Sequence, residues 1–382
     1  MRAVPVIAEG LFTFQIGGSE RVGADLALEF TRRGYRVLCF AFHDSDGPMR
    51  VQLEAAGIRC LDMNYAQCRG VFRRVIYLWK FWRMLRNEQV SALHVHHTAA
   101  LILCGIPARL AGVKVVMTEH ALQWRERGPR YHAPAQRYCR YATEVTVVDP
   151  AQADYFRTEL AVPPDRVHYV ANGVRVAART AERVGHMRRR LGIAPEVFAF
   201  FYVGRLDPVK DLGTLLEAFA ALPADVLSRS RLYLVGDGTE RAMLEAKRDA
   251  LGLAEHLVFL GVRNDVAEVL MAADAVVMSS RSEGLPMVLL EAMAAGVPCV
   301  ATAVGGIPKL FGDDRGLSVP AQDAAKLAGA MTSIARSPEL RKRLVENARE
   351  NLQQHYALDA VVDRYLALLG LPRSFTASMT VA

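Results

Sequence analysis

Short apolar runs that do not alternate with polar residues recur through this chain, and each is followed by an amphipathic or helical stretch. A strand covered on both faces reads as a continuous apolar run, whereas a strand with one wet face alternates. Runs at 2–8, 36–41, 58–61, 91–95, 113–117, 143–148 and 166–170 fit the first description, with helical stretches near 19–33, 47–56, 70–87, 98–111, 130–141 and 150–160. A second series has strands at 197–203, 231–235, 257–260, 274–279, 297–301 and 315–319, with helices near 211–221, 239–251, 264–273, 286–295, 323–335 and 338–354. This alternation predicts an α/β chain with two Rossmann-like, doubly wound parallel sheets facing across a cleft. Ligands in such sheets bind at the carboxyl ends of the strands. The polar, Arg-rich stretch 176–195 reads as a linker between domains 1–175 and 196–355. A last helix, 358–369, follows a break at His355-Tyr356, and the tail after Pro372 is expected to fray.

Length agrees, since 382 residues suit two cores. No apolar run is long enough to span a bilayer. Met1 to Glu9 is a short apolar run that meets an acid, and reads as a first strand rather than a signal peptide. The six cysteines are scattered, with no C-x-x-C pair and no Cys/His ligand spacing. They read as reduced core residues, which implies a cytoplasmic location. Residues 1–190 hold 28 Lys+Arg against 17 Asp+Glu, and the remainder 19 against 23. The first half is therefore the basic partner, suited to an anionic surface or ligand. No nucleic-acid-binding motif accompanies the charge, so nucleic acid is not expected.

The chemistry concentrates where a strand meets a helix. In Ser282-Glu283-Gly284-Leu285-Pro286-Met287-Val288-Leu289-Leu290-Glu291, Pro286 suits the first helical position and Gly296 the position just past the end. Glu283 then stands on the loop before the helix and Glu291 on its second turn. Backbone N–H groups at 284–288 and the positive helix end would form an anion site between the two acids. An ordinary capped helix with two surface acids would have the same sequence. Gly204-Arg205-Leu206-Asp207-Pro208-Val209-Lys210-Asp211 follows the apolar strand 197–203. Arg205 and Lys210 could converge there on one anion. Gly236, in Val235-Gly236-Asp237-Gly238, permits close approach of a ring, and the backbone at Gly261, Val262 and Arg263 could read a base edge. Gly17-Gly18-Ser19 opens a helix and could approach a phosphate, or could be a tight turn with Ser19 as N-cap. The G-x-G-x-x-G fingerprint is absent, which leaves NAD or FAD unsupported.

His94, His96 and His97 end one strand, and Thr118-Glu119-His120 ends the next. Alternation puts His94 and His96 on one face and His97 on the other. A third zinc ligand at known spacing is not evident. His96 and His120 are candidates for contact with a polar substrate. In 69–86, Val71, Val75, Leu78, Trp82 and Leu85 form a stripe expected to pack on the sheet. Phe72, Ile76 and Trp79 form a second stripe beside Arg69 and Arg83. This suits an interfacial helix on anionic lipid, or a core helix with snorkelling arginines. The segment Gln123 to His132 has similar character and reads as a mobile loop on the acceptor side.

Taken together, G-R-L-D-P-V-K-D, L-V-G-D-G, G-V-R-N-D-V and S-R-S-E-G-L-P-M-V-L-L-E-A-M-A-A-G-V-P-C-V-A-T-A-V-G-G, in that order, resemble the retaining glycosyltransferases of family 4, which have the GT-B fold. G-G-S-E-R-V, H-V-H-H, T-E-H and N-G-V extend the resemblance over nearly the whole chain. It implies an N-terminal acceptor domain, a C-terminal nucleotide-sugar domain, and a last helix that crosses back to the N-terminal domain. By the resemblance, Arg205 and Lys210 hold the donor diphosphate, Glu283 the donor sugar and Glu291 the ribose. Gly204, Gly236, Val262, Arg263, Gly284, Leu285, Met287 and Val288 line the donor. Gly17 and Gly18 approach its diphosphate, His120 contacts the reacting centre, and His96 and His97 lie on the acceptor side. Arg175, Asp149 and Ser19 depart from the family pattern without removing a catalytic group.

The expected activity is transfer of a sugar from a nucleotide-sugar to a hydroxyl acceptor with retention, without metal or other cofactor. The acceptor is expected to be lipid-linked or a polysaccharide, met at the inner membrane surface. A nucleotide-sugar isomerase on the same scaffold and a non-catalytic sugar-nucleotide-binding protein are the alternatives.

Overall fold

The protein's structure, a computed structural model, describes residues 4–44, 46–63, 65, 70–120, 132–176, 178–312 and 314–375. The chain divides into two compact units, Met1–Gly173 with Leu358–Ala382, and Val174–Ala357. The first unit holds β1 (Val6–Leu11), β2 (Arg36–Ala41), β3 (Arg59–Asp62), β4 (Val90–His96), β5 (Lys114–Glu119), β6 (Glu144–Val147) and β7 (Val167–Tyr169). They form one sheet in the order β3-β2-β1-β4-β5-β6-β7, all pairs parallel. The second holds β8 (Phe198–Val203), β9 (Ser230–Val235), β10 (Leu257–Gly261), β11 (Ala275–Met278), β12 (Cys299–Thr302) and β13 (Leu317–Val319), in the order β10-β9-β8-β11-β12-β13 and again parallel. Strands of this apolar kind are covered on both faces, and Phe198 through Tyr202 are all buried. In each sheet the strand order reverses direction once, between β1 and β4 and between β8 and β11. These switch points are where an open α/β sheet leaves a crevice at the strand ends.

The first strand runs Val6–Leu11, later than the expected 2–8, and so carries Glu9 deep inside the sheet. Three further expectations are corrected. The stretch 176–195 is no linker: helix Ala181–Arg190 belongs to the second unit. Arg179 donates to the Met271 and Ala273 carbonyls, Arg183 pairs with Glu268 at 2.7 Å, and Arg188 with Asp274 at 3.0 Å. Arg179, Arg183 and Arg188 are thus anchors to the second unit.

Helix Val71–Asn87 buries Tyr77, Phe81 and Leu85; of the expected stripe, Leu85 is buried and Leu78 packs on the core, whereas Val71 and Val75 do not reach it. Phe81 packs edge-on to Phe40 at 5.2 Å between ring centroids, so only the later turns reach the sheet. Val71, Phe72, Val75 and Trp79 stay exposed. Arg69 and the segment 121–131 lie outside the described residues, as does Cys68; the other five cysteines are free and buried.

The last helix, Leu358–Leu369, belongs to the first unit, where it packs on β4, β5 and the helix Gly18–Arg32. It follows a π-turn at Leu352–Tyr356, the expected break. Asp359 and Asp363 meet Arg32 and Arg33. The tail does not fray at once: the Phe375 N–H donates to the Arg33 carbonyl at 2.9 Å.

Candidate active site

In the second unit, the loops after β8 and β11 are stitched together. Ser279 Oγ donates to the Lys210 carbonyl at 2.9 Å, and the Arg281 N–H donates to the Val209 carbonyl at 2.9 Å. Asp211, in the left-handed region at φ 49°, pairs with Arg281 at 3.0 Å. Thr302 Oγ1, on β12, donates to the Ser280 carbonyl at 2.6 Å. This scaffold sets the Lys210 ammonium 2.7 Å from Glu283 Oε1, where Ser280 Oγ also donates at 2.6 Å. The pair is neither buried nor free, since the side chains are 18% and 10% exposed. A half-buried cation held by bonds on rigid strand ends is a preorganised charge.

Arg205 stands differently. Its side chain is 75% exposed and pairs with Asp207 at 2.8 Å. Its carbonyl accepts from the buried Tyr202 hydroxyl at 2.8 Å, so the backbone is fixed while the guanidinium reaches outward. Gly204 and Gly236 lie on adjacent strand ends. A Cβ at Gly236 would come 1.9 Å from the Gly204 carbonyl oxygen, so glycine is there to admit its neighbour's backbone. Val262 is exposed on the turn after β10, and Arg263 folds onto Asp265 at 2.6 Å.

The helix between the two acids runs Met287–Ala294, with Pro286 as N-cap rather than first helical residue. Pro286 has no N–H to offer, so the expected row 284–288 is broken there. No side chain caps this end, which leaves the Met287 and Val288 N–H groups to meet solvent or a ligand. Gly296 takes φ 68°, as its place after the helix requires. Leu285 turns its side chain inward, and Glu291 is half-buried on the helix. Gly305, at φ 55°, presses on the loop before the helix: a Cβ would lie 1.9 Å from the Glu283 carbonyl oxygen. The Gly306 N–H donates to the Gly284 carbonyl at 2.9 Å.

In the first unit, the histidines gather at the β1/β4 switch point. Glu9 is the register partner of His94, and its buried carboxylate accepts from His94 Nδ1 at 2.9 Å and His96 Nε2 at 2.7 Å. His96 Nδ1 lies 2.7 Å from His120 Nε2. His94 Nε2 meets Thr118 Oγ1 at 2.7 Å, and Thr118 in turn meets Thr146 at 2.6 Å and the Tyr365 hydroxyl at 3.1 Å. Burial pushes Glu9 upward, and it pushes His94 down to about 3 and His96 to about 4. It also holds His120 well below the usual histidine range.

Glu9, His94 and His96 have the composition of a metal site. Their contacts of 2.7 and 2.9 Å are nevertheless hydrogen-bond distances. Donors around a tetrahedral zinc stand about 3.3 Å apart, from bond lengths near 2.0–2.1 Å. The residues therefore fit a shared proton better than an ion. His97 turns away, as expected, and donates to Glu119 at 3.0 Å. Glu119 also accepts from the Thr98 N–H at 3.0 Å and so caps helix Thr98–Ala111. Burial works against charge on His97, yet the Glu119 carboxylate raises its pKa. Gly17 is the N-cap of helix Gly18–Arg32, in place of Ser19. A Cβ at Gly18 would meet nothing within 4 Å, but one at Gly17 would lie 2.2 Å from Glu20 Oε2, so the Glu20 carboxylate stands over that helix end.

Two family models match, one in each half: Glycosyl transferases group 1 over residues 185–351, and Glycosyltransferase Family 4 over 16–178. The chain belongs to glycosyltransferase family 4. The glycosyltransferase is 26% identical over 360 residues to N-acetyl-alpha-D-glucosaminyl L-malate synthase of Bacillus anthracis, which covers 92% of this chain and 93% of that protein. It is 28% identical over 239 residues to UDP-Gal:alpha-D-GlcNAc-diphosphoundecaprenol alpha-1,3-galactosyltransferase of Escherichia coli, covering 60% and 62%. In fold it is similar to Anabaena HepE solved with UDP, at a TM-score of 0.83 and 21% identity over 96% of this chain and 100% of that one. HepE with UDP-glucose superposes at 0.82, with 21% identity over 96% and 99%. The fold of the glycosyltransferase is thus GT-B, with two Rossmann-like parallel sheets.

The structure also gives roles to residues that lay in the motifs without one, and to Glu9, which lay outside them. Ser280 and Gly305 act directly on Glu283. Asp211 and Arg281 hold the Lys210 loop. Glu9 organises the histidines of the glycosyltransferase, and its only sequence signal was an acid inside an apolar strand.

Proposed function

We propose that this glycosyltransferase moves a hexose from a UDP-sugar to the hydroxyl of a lipid-linked or polysaccharide acceptor, with retention and without a metal. The observation that carries the reading is the Lys210–Glu283 pair at the β8/β11 switch point, beside a helix start that no side chain caps. Lys210 and the helix N–H groups would take the diphosphate, with Arg205 swinging from Asp207 to join them. Both bonds on Glu283 fall on Oε1, so Oε2 would accept from a sugar hydroxyl. Glu291 would hold the ribose. The HepE complexes with UDP and UDP-glucose support the donor class.

In the reaction the bond from the anomeric carbon to the diphosphate oxygen breaks, and its electron pair stays with the diphosphate. Lys210, Arg205 and the helix end stabilise that charge, which is the largest task in such a transfer. The acceptor oxygen attacks on the same face, and its proton passes to the departing phosphate oxygen. A thermal-shift panel of nucleotide-sugars, followed by NMR of the product anomer with and without EDTA, tests the reading. UDP-sugars should raise the Tm, and the product should keep its configuration in EDTA. No shift with any nucleotide-sugar, inversion, or loss of turnover in EDTA would overturn it.

The acceptor side favours an anionic membrane surface. Helix Val71–Asn87 exposes Phe72 at 78% and Trp79 at 51%, among Arg74, Lys80, Arg83 and Arg86. Apolar rings among basic residues suit the lipid headgroup boundary. The undecaprenyl-linked acceptor named for the Escherichia coli relative supports such a location. No helix among the described residues is long and apolar enough to cross a membrane, so contact would be peripheral. Flotation with anionic and neutral liposomes decides, and equal recovery from both would remove the membrane from the reading.

A further inference from the structure

Glu9, His96 and His120 form an unbroken chain through both nitrogens of His96: Oε1 to Nε2 at 2.7 Å, then Nδ1 to Nε2 of His120 at 2.7 Å. A neutral imidazole donates from one nitrogen and accepts at the other, and a carboxylate only accepts. The proton on Glu9 therefore fixes every proton along the chain. With Glu9 ionised, His96 donates from Nε2, and His120 donates from Nε2 to His96 Nδ1. His120 then presents a bare Nδ1. With Glu9 protonated on Oε1, the direction reverses. His96 accepts at Nε2 and donates from Nδ1, and His120 presents Nδ1–H.

We propose that Glu9 is a positioning residue that sets, through His96, whether His120 offers an acceptor or a donor at Nδ1, and that the three residues relay a proton between His120 Nδ1 and Glu9. The step balances without a co-reactant. A proton arrives at His120 Nδ1, the His120 Nε2 proton passes to His96 Nδ1, and the His96 Nε2 proton passes to Glu9 Oε1. Both imidazoles end neutral with the proton on the other nitrogen, and the carboxylate ends as the acid.

The surroundings are built for this. Glu9, His94 and His96 are fully buried, so an imidazolium or a bare carboxylate is disfavoured against the neutral acid. His94 keeps its Nδ1–H on Glu9 in both states, because Oε2 lies 3.1 Å away and can accept it. Its other nitrogen accepts from Thr118, which the Thr146 and Tyr365 hydroxyls then serve as donors. Among the described residues the chain ends at His120. Helix Gly18–Arg32 seats a glycine on the relay: a Cβ at Gly23 would lie 2.7 Å from His96 Nε2 and 3.2 Å from Glu9 Oε1. The other titratable groups that bear on it are Cys39 from β2, Tyr365 from the last helix, His94 beside it, and His97 with Glu119 and Glu20. The relay does not rest on the donor reading above.

The experiment is long-range proton–nitrogen NMR of the full chain carrying nitrogen-15 histidine, titrated from about pH 5 to 9, the span in which histidines report. The expected result is one shared transition in which His96 and His120 both exchange the nitrogen that carries the proton, and neither becomes an imidazolium. Glu9→Gln should hold His120 as the Nδ1–H tautomer throughout, because the amide donates to His96 as the acid does. Independent titration of the two rings, an imidazolium at His120, or no tautomer change would overturn the relay. If Glu9→Gln does not fold, the wild-type titration decides alone. A relay seen in a chain that transfers no sugar would leave this inference standing and remove only the donor reading.

Discussion

The Lys210 ammonium and the Glu283 carboxylate stand 2.7 Å apart at the ends of two adjacent strands, although the residues are 73 positions apart in sequence. Each fixes the other, while Ser280 holds the Glu283 carboxylate and Ser279 the Lys210 carbonyl. Lys210→Ala should lower kcat by roughly 10²–10³, the effect of losing one preorganised charge stabiliser. The donor KM should change far less. Steady-state rates with the donor found by thermal shift give the check, and unchanged turnover would remove Lys210 from the phosphate.

Glu291 lies along the same helix, away from the reacting end. Glu291→Ala should raise the donor KM and weaken UDP binding, with kcat changed little. Calorimetric titration with UDP reads the effect directly, and full affinity in the variant would dissociate Glu291 from the ribose.

Gly305 is a place where one methyl group should be felt. Its φ of 55° is unfavourable for a side chain, and a Cβ would sit 1.9 Å from the Glu283 carbonyl oxygen. Gly305→Ala should destabilise the protein by about 1–3 kcal/mol, as overpacking and strain generally do, and displace the Glu283 loop. Denaturant unfolding and donor turnover should therefore fall together. A variant of wild-type stability and activity would show that the loop can yield.

Acid should destabilise the fold through the buried histidines. Their pKa falls from 6.5 to about 3 at His94 and about 4 at His96. Between pH 6.5 and about 4 the unfolded chain therefore binds protons that the folded chain refuses, and stability falls as pH falls. Glu9 acts in the opposite sense above 4.5, where its folded carboxyl keeps a proton that the unfolded one releases. One carboxyl does not outweigh two histidines. Urea midpoints should drop from pH 7 towards 5, and His94→Gln should flatten that slope. A midpoint indifferent to pH would contradict the buried neutral imidazoles.

Much of this molecule was legible in its sequence, because its strands are apolar on both faces and its turns carry glycine. The strands at 36–41 and 198–203 and the last helix fell within a residue of their places. Arg205, Lys210 and Glu283 were marked by position at strand ends, but their pairing was not, since Ser280 and Asp211 look like ordinary loop residues. Glu9 escaped because its partners are 85 and 87 positions away, and nothing local announces them. Helix Val71–Asn87 misled because two apolar stripes overlap on it. Only contact with Phe40 and Phe42 decides for Phe81, and contact with Phe81 and Tyr65 for Tyr77. Helix Ala181–Arg190 misled for the converse reason: its arginines reach backbone carbonyls that no pattern in the segment reveals.

The return of Leu358–Leu369 to the first unit bears on how the protein is made. The segment Val174–Ala357 is continuous and can close its own core as soon as it leaves the ribosome. The unit that begins the chain cannot, because Tyr365 must still arrive to reach Thr118 and cover His94. Thr118 therefore waits for a residue 247 positions further along the chain. The histidine cluster is finished only once Leu358–Leu369 has been made, which ties completion of that site to this helix.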